Sequence, residues 1–267
     1  VSYSIGANLT FYDQLWEKYA QNDDAVTLAN PNKRTTYKTI GQGDLIYIYD
    51  GLFRDANELL NSPIQSAGTS MMAGDARYVD VNGDGAITDE DMIYDNKPRS
   101  AIMQWGIPFS LQWKAWSLEG LLQGSGRQYG ILHNNIKGTG WNKIYYKDQL
   151  DIYYPGNENA RYPRADNDYG VWNGEYNRAA SALWRVNKTY ARLKNLSITY
   201  NFKYKLLKHV NWLSAASVSL TGTNLFTICP SLKYGDPETG PINDTATVQT
   251  AAYPTTRTFS VMVNLGF

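Results

Sequence analysis

Cysteine and histidine are scarce in this chain and net charge is absent, and each scarcity removes a class of function. One cysteine, Cys229, leaves no intrachain disulfide to form. Two histidines, His133 and His209, are too few for a His/Cys zinc centre. A nucleophilic Cys–His pair is compatible with the count, but a small apolar residue at a strand end is the plainer reading of Cys229. Basic and acidic residues balance at 25 each. The chain therefore lacks the electrostatic footprint of a nucleic-acid-binding protein. It also shows no signal-like segment and no run of about 18 apolar residues. That excludes a helical membrane span but not a membrane β-barrel, whose strands alternate and keep mean hydropathy low.

What is present points to interfaces. Of the 267 residues, 43% are hydrophobic, which rules out wholesale disorder. Tyr (21) and Trp (8) far outnumber Phe (7). Rings with a polar tip suit a membrane headgroup belt or a sugar-binding face, so two classes of function stand open.

The strands alternate over unusual lengths. Val1, Tyr3, Ile5, Ala7, Leu9 and Phe11 share one face, opposite Ser2, Ser4, Gly6, Asn8 and Thr10. Residues 105–115 repeat the pattern, with Trp105, Ile107, Phe109, Leu111, Trp113 and Ala115 on one side. The last ten residues set Phe259, Val261, Val263, Leu265 and Phe267 against Ser260, Met262, Asn264 and Gly266. Shorter candidates are 45–53, 117–124, 190–202 and 217–227. Within 190–202 the phase slips near Lys194, which predicts a bulge or the strand's exit from a membrane. A period of two held for roughly 9 to 11 residues matches a membrane-crossing strand. Sandwich strands run about 5 to 6 residues, with turn signals every 8 to 12. Long polar segments at 18–44, 54–100, 125–180 and 228–256 separate these strands. Short turns on one side and long loops on the other favour an outer-membrane barrel over a soluble sandwich.

One stretch carries a metal pattern. In DVNGDGAITDED, side-chain oxygens recur at Asp80, Asn82 and Asp84, Gly85 supplies a sharp turn, Ala86 offers a carbonyl, and Asp91 closes the loop at position twelve. This spacing suits calcium, a hard cation taking six to eight oxygens. Asp rather than Glu at the twelfth position shortens the reach, and Ile87 is the expected apolar anchor. The alternative is an Asp/Asn/Gly turn closed on its own backbone without metal. Without flanking amphipathic helices, a rigid staple for a long loop is expected rather than a sensor that opens.

Four ordered motifs carry a family resemblance over most of residues 44–267. GDARYVDVNGDGAITDEDMIY, followed by an aromatic strand and WSLEGLLQGSG, is similar to the late barrel of SusC/RagA-type TonB-dependent outer-membrane transporters. TYARLKNLSITYNF resembles that family's "YLRLKNLSLGY" strand, VSLTGTNLFTI its "GQNLFT" strand, and YPTTRTFSVMVNLGF its terminal strand.

The resemblance implies an all-β fold: antiparallel transmembrane β-barrel strands with long extracellular loops, forming the C-terminal portion of a roughly 22-stranded barrel that encloses a plug. Residues 1–267 hold too few strands to close such a barrel, and the plug domain is absent from them; plug and TonB-box region are expected ahead of Val1. The aromatic Phe267 resembles the signal read by barrel-assembly machinery. The implied function is TonB-driven import of glycan or peptide fragments in the bacterial outer membrane, beneath a SusD-type surface lipoprotein lid. The partners are then that lid, the TonB complex, substrate and outer-membrane lipid, with no nucleic acid. The cofactor expected from the loop spacing, apart from the resemblance, is structural calcium at Asp80, Asn82, Asp84, Ala86 and Asp91.

Competing readings are a soluble calcium-stapled protein binding carbohydrate through aromatic platforms, and a structural outer-membrane barrel that transports nothing. Catalysis is not expected. A glycosidase pair drawn from Glu119, Glu175, Asp166 and Asp168 needs carboxyls about 5 to 9.5 Å apart, which sequence does not supply. Residues 143–174 are the expected recognition or lid-contacting loop. Its aromatics Tyr145, Tyr146, Tyr153, Tyr154, Tyr162, Tyr169 and Trp172, with Trp141 just ahead, either stack on ligand or pack on one another.

Overall fold

A computed structural model describes residues 1–14, 17, 44–65, 71–95, 97–131, 150–164, 177, 179–232, 236–238 and 255–267. Its strands are β1 (Ser2–Ile5), β2 (Asn8–Phe11), β3 (Leu45–Ile46), β4 (Tyr49–Leu52), β5 (Ala76–Tyr78), β6 (Ile93–Tyr94), β7 (Met103–Trp113), β8 (Trp116–Gly126), β9 (Tyr129–Ile131), β10 (Arg185–Asn187), β11 (Tyr190–Asn201), β12 (Ala215–Ile228) and β13 (Thr258–Gly266). A short α-helix, α1 (Ala56–Leu60), is capped by the Asp55 side chain.

The main sheet runs β1–β7–β8–β11–β12–β13, antiparallel and in chain order, with β2 also on β7. β1 and β2 are one strand in two pieces. Their register on β7 is unbroken, from Ser2 opposite Gln112 to Phe11 opposite Met103. The interruption falls at Gly6, whose N–H donates to the Pro108 carbonyl at 2.9 Å. Pro108 has no N–H to return the bond, so the ladder lapses there.

The slip expected near Lys194 is a bulge. Register shifts between Leu193 and Asn195 against both β8 and β12. On β12 the extra residue is accommodated at Asn224, which adopts φ 51; asparagine enters this region more readily than most side chains. The expected strand at 45–53 is corrected: it splits into β3 and β4, which pair with β6 and β5 outside the main sheet. Within β4, Gly51 adopts φ 104 where the register on β5 shifts between Tyr49 and Leu52.

Sequence alternation becomes two chemically distinct faces. Phe109 covers Gly120, Trp105 covers Gly124 and Met103 covers Gly126, each where a Cβ would overlap the neighbouring side chain. The glycines of WSLEGLLQGSG therefore seat large side chains across the strand pair. On the apolar face Phe259, Val261 and Val263 are 67%, 71% and 62% exposed. The opposite face is lined by hydroxyls and amides. Ser197 and Thr221 share a hydrogen bond of 2.9 Å, and Thr199 and Ser219 one of 2.7 Å.

Connections alternate in length. The links 114–115 and 202–214 lie at one end of the main sheet, and 12–102, 127–189 and 229–257 at the other. The buried core sits in the long connections, not under the sheet. One cluster joins Ile46, Ile131, Trp184, Val186 and Leu232, and another Tyr47, Leu52, Ala76, Tyr78 and Ile87.

Candidate functional site

The polar face and the long connections folded against it form the candidate site. Near the long-connection end, Asn8, Thr10, Gln104, Gln123, Tyr190 and Glu238 border a cavity of about 630 Å³. Its donors and acceptors are mostly neutral amides and hydroxyls, able to bind polar ligands without a fixed charge preference.

A charged tether closes one side of this region. Arg192, 1% exposed, donates through Nε to Thr227 at 2.8 Å and through Nη2 to Asp236 at 2.7 Å. Its Nη1 lies 2.8 Å from Glu238, an ion-pair distance without hydrogen-bond alignment. Glu238 also accepts from Lys194 at 2.8 Å, Tyr190 at 2.9 Å and Gln123 at 2.7 Å. Burial pushes the Asp236 and Glu238 carboxyls up. The Glu238 N–H and Arg192 outweigh it for Asp236, and Lys194, Tyr190 and Arg192 do so for Glu238, so both sit below the usual carboxylate range. Sequence reasoning missed this cluster because each of its ion pairs joins residues 44 or more apart, and no local pattern pairs a strand arginine with a distant loop acid.

A second buried network ties the connections together. Asp44 receives Arg185 at 2.9 Å and also pairs with Arg99, while Arg185 pairs with Asp95. Desolvation raises the Asp95 carboxyl and lowers the Arg185 guanidinium, each against the pull of the other. Asp75, fully buried, accepts from Arg164 at 2.7 Å and Asn177 at 2.8 Å.

The Asp80–Asp91 loop folds as a compact turn. Asp80 accepts from the N–H groups of Gly83 at 2.6 Å and Gly85 at 2.8 Å. The Gly85 bond is the main reason its carboxyl sits below the usual range. Gly85 adopts φ 85, the sharp turn expected at that position. Ile87 is 3% exposed and packs in the Tyr47–Tyr78 cluster. Asp91, fully buried, accepts from Val81 at 2.8 Å and Thr88 at 2.7 Å and closes the loop.

The donor chemistry of this loop suits calcium, but its geometry brings the residues together only in part. The Asp80 and Asp91 carboxylates are both turned into the loop, where each accepts backbone N–H groups of the loop itself. Asn82 instead donates to Asp84 at 3.0 Å, and the Ala86 N–H donates to Asp84 at 2.8 Å. Among the described residues no three His, Cys, Asp or Glu side chains gather as a metal-holding group. Completing the calcium shell from this arrangement requires releasing the Asn82–Asp84 side-chain bond.

The other expected sites resolve unevenly. Tyr162 stacks on Trp184 at 5.4 Å and Tyr153 donates to the Arg54 carbonyl at 3.0 Å, so both pack within the connections. Tyr154 is exposed. Trp141, Tyr145, Tyr146, Tyr169 and Trp172 lie outside the described residues, as do Asp166, Asp168, Glu175 and His133. Cys229 follows β12 at the long-connection end and His209 sits in the 202–214 link at the opposite end, so those two do not meet.

Long antiparallel strands with an exposed apolar face, a hydroxyl-lined face and alternating short and long connections define a β-barrel wall of the membrane type. Solved structures share that fold. The chain matches one titled as the RagAB peptide transporter with a TM-score of 0.59 and 19% identity, over 87% of this chain and 23% of that one. It matches the RagAB peptide importer in the "open-open" state at 0.62 and 19%, over 90% and 24%. The "closed-closed" state matches at 0.59 and 18%, over 98% and 27%. This chain thus spans about a quarter of the length of those chains. No family model and no curated protein matches.

Proposed function

We propose that this chain is barrel wall of an outer-membrane importer of the SusC/RagA type, driven by the TonB complex and covered by a SusD-type lipoprotein. The observation that carries this reading is the continuous exposed apolar face of the main sheet, backed by a hydroxyl and amide face. In water each fully exposed large apolar side chain forgoes on the order of 1.5–3 kcal/mol of burial. Hydrocarbon removes that cost, and the backbone groups within the sheet are already paired, as lipid demands. The polar face then lines a lumen through which glycan or peptide fragments pass, and no bond is made or broken. The long connections face the cell exterior, with the Asp80–Asp91 loop among them.

The test is uptake by cells expressing the full polypeptide, offered a mixed pool of fluorescent oligopeptides and oligosaccharides. Uptake that stops when TonB is deleted supports the reading. Uptake independent of TonB, or none in its presence, contradicts it.

We also propose that the Asp80–Asp91 loop holds structural calcium. Asp80, Asp84 and Asp91 set three carboxylates in one twelve-residue loop, and a cation held among them offsets their mutual repulsion. Asp80, Asn82, Asp84 and Asp91 would bind through side chains and Ala86 through its carbonyl. Chelation is expected to speed proteolysis within residues 80–91, and Asp80→Asn to abolish that sensitivity; a cleavage rate indifferent to chelator sinks the claim.

A further inference from the structure

Charge is segregated along the strand axis. Of the 25 acidic residues, only Glu119 lies in the main-sheet strands or in the links 114–115 and 202–214, so 25 − 1 = 24 lie in or beyond the long connections. The short-link end instead carries Lys114, Lys203, Lys205, Lys208 and His209, with no carboxylate in either link. Lys203 is occupied, donating to the Val210 carbonyl at 2.6 Å. Lys114 lies over the Trp113 ring at 5.0 Å, and Lys205 and Lys208 are exposed.

Apolar groups surround these cations. Tyr204, Leu206 and Trp212 are 56%, 66% and 69% exposed. Trp212 stacks on Phe267 at 5.8 Å, and Trp116 meets Tyr200 edge-on at 4.7 Å. The rings thereby continue the apolar face to its rim. Clustered at one rim, a leucine, a tyrosine and a tryptophan in water would forgo burial beside the lysines. At a bilayer boundary, the rings sit at headgroup depth and the lysine stems snorkel outward to the phosphates.

We propose that this rim is a docking surface for anionic phospholipid headgroups of the leaflet that the short links face. The inference rests on the membrane reading above and adds a lipid specificity to it. A lysine at an anionic surface favours it by about fivefold at low salt, and that preference decays as salt screens it.

The experiment is association of spin-labelled phosphatidylglycerol or phosphatidylcholine with the full polypeptide carrying this chain, reconstituted in bilayers of mixed lipid. Wild type is expected to favour phosphatidylglycerol at least fivefold at low salt. That preference should fall toward unity in 0.5 M salt and in Lys205→Gln/Lys208→Gln. Lys97→Gln, at the long-connection end, is expected to leave it unchanged. Equal association of both lipids with wild type, or a preference that survives salt and the double substitution, overturns the proposal while the membrane reading stands. A polypeptide extracted by buffer without detergent overturns both.

Discussion

At the residue scale, the glycines of β8 decide how closely β7 and β8 can pack. A Cβ at Gly124 would overlap both the Trp105 ring and the carbonyl oxygen of Tyr190. The ring can swing aside, but the carbonyl belongs to the paired backbone of β11 and cannot. Gly124→Ala is therefore expected to cost about 1–3 kcal/mol, measurable as a lowered midpoint of thermal unfolding in detergent. Gly222→Ala should be milder, because its nearest neighbour is the movable Leu225 side chain. An equal loss at both positions would contradict the backbone account. The glycine spacing is visible in WSLEGLLQGSG, but its cause becomes clear only once β7 supplies the opposing rings.

At the element scale, β11 gathers the charges that hold the 229–257 connection against the polar face. Asp236 and Glu238 both have depressed carboxyls. Their ion pairs thus stabilise the tether above the ordinary carboxylate range and lose that contribution as pH falls through the depressed values, below about pH 4. Proteolysis of residues 229–257 is expected to rise in that window. Arg192→Met should reproduce the rise at neutral pH by leaving Asp236 without its cation and Glu238 with Lys194 alone, a loss on the order of 3 kcal/mol. A cleavage rate flat with pH and unchanged in Arg192→Met would show that the tether is not held by charge.

The same elements show what sequence could and could not tell. Alternation placed β1, β7 and β13, and the phase slip at Lys194 placed the bulge. The complementary bulge at Asn224 was missed, because its only local signal is one asparagine able to adopt a positive φ. Residues 45–53 read as a shorter, less regular strand of the alternating kind. Their partners β5 and β6, however, belong to the same long connection, so they build its core instead of extending the sheet. In the calcium-type loop, Gly85 and Ile87 took their expected places, while the Asn82–Asp84 bond was not legible from spacing alone.

At the scale of the whole molecule, the core clusters among the described residues lie in the long connections, and the main sheet leaves its apolar face uncovered. That division is the central claim: the uncovered face meets lipid and the other meets water. Single spin labels placed in turn along β13 of the full polypeptide, in a Cys229→Ser background and a lipid bilayer, test it most directly through collisions with oxygen and with a water-soluble nickel chelate. The account predicts that labels at Phe259, Val261, Val263 and Leu265 meet oxygen, whereas those at Ser260, Met262 and Asn264 meet nickel, alternating residue by residue. Labels at the apolar positions shielded from both, as inside a soluble sandwich, would contradict it.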